Sequence, residues 1–397
     1  MENWRAMYSR LSLPASINKT QKKMNMNKII TLALTLFCFL ANAQNNFKIS
    51  GNLSGFEENS LVKIDRENIT LDSCRLKNGK FELKGNFEQS PSSVYLFIEN
   101  GKDWIYSSFF IGNENITIDA KIEDFPHSVK TKGSKYDDLR YKFISVGKDL
   151  NIERNKYLKE MFTLRDQKKW NDSLQREYWG KSEPFGKITI IDQKLDKIQK
   201  DFIAENLNSY YGLCLLEMSK TQYSETELSN LVSKLKPNFK KTVYAKSINT
   251  HIKNPDLKIG DRFYDFSALN SKNKKVNFSD YFDGKYVLLD FSTLFCGFCQ
   301  QAIPELEKIK KMQNDNLEII TFYVDESQKG FDGLSEKHSE NWNVLWDKEG
   351  RLSDTYARYK VFGTPTFYLF NSNGNLVQKF DGFSEDLSEQ IEKALNK

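Results

Sequence analysis

Tyr286-Val287-Leu288-Leu289-Asp290-Phe291-Ser292-Thr293-Leu294-Phe295-Cys296-Gly297-Phe298-Cys299 is the stretch that decides how the chain is read. Residues 286–291 are rich in β-formers and long enough for a buried central strand. Past Cys299, Ile303, Leu306 and Ile309 recur at helical spacing, with Pro304 among them. Two cysteines three apart, on the turn between a strand and a helix, are the signature of a redox-active dithiol.

The first cysteine of such a pair lies at the helix N-terminus, where unpaired backbone N–H groups and the helix dipole favour a negative sulfur. Cys296 is therefore the expected nucleophile. Cys299, one turn further in, is expected to resolve the mixed disulfide and leave a Cys296–Cys299 disulfide. Phe295 and Phe298 are expected to form an apolar rim for a protein or peptide disulfide, since exposed aromatics beside a site mark a contact surface. Asp290, six residues before Cys296, has two readings. Buried, its carboxyl would have a raised pKa and exchange protons near neutral pH; on the solvent face of the strand it would do neither.

The 397 residues, 39% of them hydrophobic, suffice for two or three domains with their own cores. A net charge of +5 spread over 58 basic and 53 acidic residues describes a mixed-sign surface and argues against nucleic acid as a partner. Basic runs such as residues 272–275 read as solvated faces. Near the start, Lys28 precedes an apolar run over residues 29–40 and then Ala41-Asn42-Ala43, the plan of a secretory signal peptide cleaved after Ala43. Met24 or Met26 gives that signal an ordinary length, so residues 1–23 read as lying before the true start. The run is shorter than the ~20 residues of a spanning helix. Phe37 before Cys38 is too bulky for a lipoprotein signal. Localisation to the periplasm or cell envelope is the expectation. Export leaves Cys74, Cys214, Cys296 and Cys299 in an oxidising compartment. Cys74 and Cys214 read as separate small hydrophobes, although a bridge between them depends on a Cα separation that sequence does not supply.

Residues 45–125 read as a small all-β sandwich or open barrel: short alternating segments separated by Gly and Asn turns, with Asn78-Gly79 a hairpin signal. Residues 134–252 read as an amphipathic helical segment, from stripes such as Leu139, Phe143, Val146 and Leu150 on one face. The aromatic stretch 170–179 is expected to pack between helices. Asn254-Pro255-Asp256 is a linker, and residues 256–397 alternate strands and helices, closing with a hairpin through Asn373-Gly374 and a last helix.

Further features of 256–397 belong together. These are Ile259-Gly260-Asp261-Arg262-Phe263-Tyr264-Asp265-Phe266 (with Tyr264 where proline is usual), Asn277-Phe278-Ser279-Asp280-Tyr281-Phe282-Asp283-Gly284-Lys285, Pro304, and Gly363-Thr364-Pro365-Thr366. With the CxxC they resemble the thioredoxin superfamily, and within it the exported TlpA/ResA-like thiol–disulfide oxidoreductases. That resemblance implies an α/β thioredoxin-like C-terminal domain. It implies that Pro365 is cis, that Thr364 beside it pairs with substrate backbone, and that Asp290 assists deprotonation of the second cysteine. It also implies protein or peptide disulfide substrates, no cofactor, and reduction as the direction, supplied by a membrane electron donor or thiol partner. Departures exist: Ser292 and Phe295 replace common tryptophans, Phe298 replaces thioredoxin's proline, and no lysine occurs at 321–324 beside Asp290. Losing the proline shifts the expected potential to a less reducing value than thioredoxin's ~−270 mV. Residues 45–252, through Asp72-Ser73-Cys74-Arg75-Leu76-Lys77-Asn78-Gly79-Lys80-Phe81 and Thr131-Lys132-Gly133-Ser134, resemble an uncharacterised region fused to TlpA-like domains in envelope proteins.

Three other functions compete. A peroxiredoxin shares the fold but needs a lone cysteine in P-x-x-x-T/S-x-x-C, which is absent. A metal site is disfavoured because two cysteines supply half a tetrahedral shell and His127, His251 and His338 lack ligand spacing to them. In a non-enzymatic alternative, residues 45–252 of an envelope protein bind a ligand or partner and the C-terminal domain only positions them.

Overall fold

The computed structural model describes residues 46–313, 316–338 and 342–396. The expected leader lies outside the described residues, among which no helix is long and apolar enough to cross a membrane.

Strands β1 (Phe47–Ser54), β2 (Leu61–Arg66), β3 (Ile69–Arg75), β4 (Lys80–Gly85), β5 (Ser92–Asn100), β6 (Asp103–Ile111), β7 (Asn115–Lys121) and β8 (Thr131–Lys132) form two facing sheets, ordered β4-β1-β7-β8 and β3-β2-β5-β6. Strict alternation puts Phe47 and Ile49, Val62 and Ile64, Val94, Leu96 and Ile98, and Ile116 and Ile118 into one shared core. This is the sandwich expected from the alternating pattern. The Asn78-Gly79 turn forms, with both residues at positive φ. Its strands, however, pair only at Lys77 and Lys80 and then part into opposite sheets, so the expected hairpin is a crossing between layers. Strand β6 was not expected. Phe109 and Ile111 enter the sandwich core while Phe110 enters the helical core, so at its C-terminal end both faces of the strand are covered and no alternation is visible there.

Helices α1 (Asp137–Val146), α2 (Lys148–Asp166), α3 (Asp172–Trp179), α4 (Lys187–Asn206), α5 (Tyr210–Met218), α6 (Glu225–Ser233) and α7 (Val243–Lys253) follow. One expected stripe is corrected: Leu139 and Phe143 pack inward, but the axis breaks at Gly147 and Val146 is 58% exposed. A Cβ at 147 would lie 3.2 Å from Asn151 Nδ2 and 3.3 Å from Leu195 Cδ2, so those two side chains would have to yield by a few tenths of an ångström to admit one. Trp170, Leu174, Tyr178 and Trp179 pack with Met161 and Ile188 between helices. A buried ion pair ties sandwich to helices. Arg140 Nε donates to Asp137 Oδ1 at 2.8 Å, and that oxygen also accepts the Phe110 N–H at 2.9 Å.

The remaining elements are β9 (Ser267–Asn270), β10 (Lys275–Asn277), β11 (Tyr286–Ser292), α8 (Gly297–Gln313), β12 (Leu317–Tyr323), α9 (Gln328–His338), β13 (Asn343–Trp346), α10 (Asp354–Arg358), β14 (Thr366–Phe370), β15 (Leu376–Asp381) and α11 (Leu387–Leu395). They build a seven-stranded mixed sheet, β10-β9-β13-β12-β11-β14-β15, with β12 at its middle and β11 an interior strand beside it. β11 runs parallel to β12 and antiparallel to β14, and one register line aligns Asp290 with Thr321 and Phe367. Leu288, Ile319, Phe367 and Leu369 pack under α8 and α11; Leu289, Phe291, Ile320 and Phe322 fill the opposite face. The α/β C-terminal fold is thus as expected. This domain is joined to the helices by Thr250 Oγ1 donating to Asp354 Oδ1 at 2.8 Å and by the Lys360–Glu225 ion pair at 2.8 Å.

Candidate redox site

Residues 293–296 turn the chain from β11 into α8. Cys296 caps the helix: its carbonyl accepts the Gln300 N–H at 3.0 Å, and its Sγ accepts the Cys299 N–H at 3.2 Å. A sulfur here takes the place of the usual side-chain oxygen on the third N–H of the helix. On its other side the Cys296 thiol donates to the Thr364 carbonyl at 3.3 Å. The Thr364–Pro365 peptide bond is cis. The loop carrying it is tied down by Thr366 Oγ1 donating to the Gly363 carbonyl at 2.7 Å and by the Gly382 N–H donating to the Pro365 carbonyl at 2.9 Å. One sulfur therefore sits between a helix N-terminus and a backbone carbonyl.

Cys296 is partly accessible; Cys299 is 2% exposed, and both are free thiols, as are Cys74 and Cys214. Burial, then the hydrogen bond with Cys296, pushes the Cys299 thiol up to about 12. The two sulfurs thus differ in access: the first can meet a partner in solution, and the second meets only what the first brings to it.

Asp290 is 3% exposed, which excludes the solvent-face reading. Desolvation raises its carboxyl to about 7, partly offset by the Thr321 hydroxyl, which donates to Oδ2 at 3.0 Å. Thr321 Oγ1 in turn accepts the Trp342 indole N–H at 3.0 Å. Oδ1 has no hydrogen-bond partner among the described residues. The Asp290 charge also contributes to raising Cys299, so the two groups sense each other. In place of the absent lysine the strand beside Asp290 offers a neutral hydroxyl, and a carboxyl with only that partner stays near neutrality.

Phe295 and Phe298 are 50% and 62% exposed, and Phe362 is 72% exposed two residues before Thr364. Sequence reasoning missed Phe362; its position next to Gly363-Thr364-Pro365 was the available signal. It also missed the support of the CxxC loop. Thr293 Oγ1 donates to Asp325 Oδ2, and the Thr293 carbonyl accepts the Cys296 N–H at 3.4 Å. Asp325 Oδ2 accepts in addition from Asn68 Nδ2 at 3.2 Å, a residue on the β2–β3 turn of the sandwich. The neighbouring Arg66 pairs with Glu326.

Residues 259–379 match the model of the AhpC/TSA family, and residues 47–139 match DUF4369, a domain of unknown function. Among curated proteins, the thioredoxin-like protein YneN of Bacillus subtilis is 29% identical over 118 residues, covering 29% of this chain and 66% of that protein. The thiol-disulfide oxidoreductase ResA of Halalkalibacterium halodurans is 24% identical over 111 residues, covering 28% of this chain and 61% of that one. The chain thus spans just under two thirds of the length of these relatives. Among solved structures, the thioredoxin domain of a thiol-disulfide oxidoreductase from Bacteroides vulgatus is 26% identical, covering 35% of this chain and 98% of that one at a TM-score of 0.32. Residues 259–379 are thus similar to the AhpC/TSA family and follow a stretch, 47–139, that is similar to DUF4369.

Proposed function

We propose that the protein is an exported thiol–disulfide oxidoreductase that reduces protein or peptide disulfides through Cys296 and Cys299. The observation that carries this is the placement of the Cys296 sulfur, 3.2 Å from the Cys299 N–H and 3.3 Å from the Thr364 carbonyl. A substrate disulfide approaches past Phe295 and Phe298. The Cys296 thiolate attacks one substrate sulfur; a mixed disulfide forms and the other substrate sulfur leaves as a thiolate, which takes a proton. Cys299 loses its proton to the Asp290 carboxylate and attacks the Cys296 sulfur. The Cys296–Cys299 disulfide forms, and the second substrate sulfur leaves as a thiol after protonation. Two electrons have passed from the dithiol to the substrate. A membrane electron donor or a thiol partner returns them.

Support for Asp290 as the proton acceptor is its burial and a carboxyl held at about 7, half ionised near neutral pH. Thr364 and Pro365 supply the backbone edge against which a substrate strand pairs.

Insulin-disulfide reduction by wild type and by Cys296→Ser tests the reading. Loss of activity in the variant alone is expected; equal activity, or none in either, overturns it. The potential of the Cys296–Cys299 couple tests direction, and a value near ~−120 mV, that of a strong oxidant, overturns reduction. Export is tested by the N-terminal sequence of the protein recovered from the envelope fraction, expected to begin at Gln44.

A further inference from the structure

A cavity of about 790 Å³ lies where the sandwich, the helices and the thioredoxin-like domain meet. That is within the ~300–1,000 Å³ typical of ligand sites. Each of the three parts contributes an exposed apolar side chain to its lining: Tyr95 from β5, Met218 from the end of α5, and Phe362 from the loop before β14. They are 36%, 67% and 72% exposed, although isolated large apolar groups gain by burial.

Two features join this cavity to the redox site. Phe362 precedes Thr364 by two residues, so the cavity wall begins within roughly 7 Å of chain from the carbonyl that touches Cys296. Asp325 also lines the cavity, and the same carboxylate holds Thr293, three residues before Cys296. The walls are held together before any ligand arrives, through Asn68 on Asp325 at 3.2 Å and Arg66 paired with Glu326. Arg351, also in the lining, acts on Glu67 beside it, opposing the rise that burial imposes on that carboxyl.

We infer that this cavity is a substrate subsite: it receives the polypeptide on one side of the reacting disulfide, and its Tyr95, Met218 and Phe362 rim selects a chain with apolar side chains near the cysteine. The inference rests on the thiol–disulfide reading of Cys296. An extended polypeptide advances about 3.3 Å per residue, so roughly three residues span the 3.3 Å from Cys296 Sγ to the Thr364 carbonyl and the two residues from there to Phe362. A chain that continues into the cavity meets Tyr95 and Met218 as well, and so all three parts of the molecule. In this arrangement the sandwich and helices supply recognition and the thioredoxin-like domain supplies chemistry.

The test uses the exported chain carrying Cys299→Ser, which traps the mixed disulfide on Cys296. Two 12-residue peptides are presented, each with one central cysteine activated as a thionitrobenzoate disulfide, one flanked by Leu and Phe and the other by Gly and Ser. Hydrogen exchange is then measured on the trapped adducts. The Leu/Phe adduct is expected to slow exchange at least fivefold at residues 90–95 and 214–221 as well as around 361–366. Slowing confined to 293–299 and 361–366 overturns the subsite. A second arm compares capture rates: in Met218→Glu the preference for the Leu/Phe peptide is expected to fall at least fivefold. An unchanged preference overturns the inference, as does equal capture of both peptides by the parent chain. Failure to capture either peptide, by contrast, overturns the thiol chemistry of Cys296 itself.

Discussion

Replacing Asp290 by asparagine should make the protein more stable in alkaline solution while slowing its second chemical step. Asp290 is 3% exposed, and burial lifts its carboxyl from 3.8 to about 7. Between those values the folded protein holds a proton that the unfolded chain has released. Folding stability therefore falls as pH rises through this window and levels off above 7. At ~1.36 kcal/mol per pH unit, the cost of this one group is about 2 kcal/mol at pH 5 and about 4 kcal/mol at pH 8. Asparagine does not titrate, so it carries none of this slope. Its amide adds a pH-independent cost of ~1–3 kcal/mol, because Oδ1 of the native residue already lacks a partner among the described residues. The diagnostic quantity is therefore a difference: the variant should gain ~2–3 kcal/mol on wild type between pH 5 and pH 8. Urea unfolding at both pH values measures it, and other titrating groups cancel because both proteins share them. Parallel stability profiles would refute the burial argument.

The same substitution reads the proton-transfer role separately. General-base catalysis contributes ~10²–10⁴-fold, so the Cys296 mixed disulfide with a model peptide should persist at least ~100-fold longer in Asp290→Asn. Its formation should keep the wild-type rate. In wild type, resolution should accelerate as pH rises through about 7, where Asp290 ionises. An unchanged lifetime refutes Asp290 as the base even if the stability difference appears.

Iodoacetamide at pH 8 should label Cys296 and spare Cys299, which is 2% exposed and, at about 12, only ~10⁻⁴ thiolate; equal labelling by peptide mapping contradicts the assigned order. His338, 2% exposed and stacked on Trp342, is lowered by burial to about 4. Its ring protons should titrate near that value in NMR spectra. Stability should correspondingly fall as pH drops from 6.5 towards 4, since the unfolded chain alone takes up the proton there. Gly51→Ala would place a Cβ 1.8 Å from the Ile118 carbonyl oxygen on the paired strand β7, so β1 and β7 must part. A loss of at least ~1–3 kcal/mol in urea unfolding is expected, and a neutral result would contradict the strand register.

What was legible in the sequence follows the range of the forces involved. The CxxC turn, its strand and its helix are local, and their period and turn chemistry can be read within twenty residues. Asp290 was legible as a candidate for the same reason, but its burial was not: only the register that sets Thr321 opposite it, and Trp342 behind Thr321, decides that. Strand β6 was illegible because Phe109, Phe110 and Ile111 at its end pack into two different cores, which removes there the alternation that marks a strand. The break at Gly147 was illegible because the apolar spacing of Leu139, Phe143, Val146 and Leu150 continues across it.

The least legible feature bears most directly on how the parts work together. Asn68 and Asp325 are separated by 257 positions, and neither belongs to a motif. Yet Asp325 Oδ2 accepts from Asn68 on one side and from Thr293 on the other, so a turn of the sandwich and the loop leading into Cys296 share one buried acceptor. A hydrogen bond to a charged group is worth ~1.5–3 kcal/mol, against a median near ~0–1 kcal/mol for exposed ion pairs. The Asn68–Asp325–Thr293 chain therefore holds the sandwich to the redox loop more firmly than the exposed ion pairs elsewhere in the molecule hold their partners. Moving the β2–β3 turn must disturb the carboxylate that steadies Thr293, and Thr293 accepts the Cys296 N–H. The N-terminal region is thus mechanically continuous with the CxxC turn. A chain docked against Tyr95 and Met218 would press on the same framework that holds Cys296.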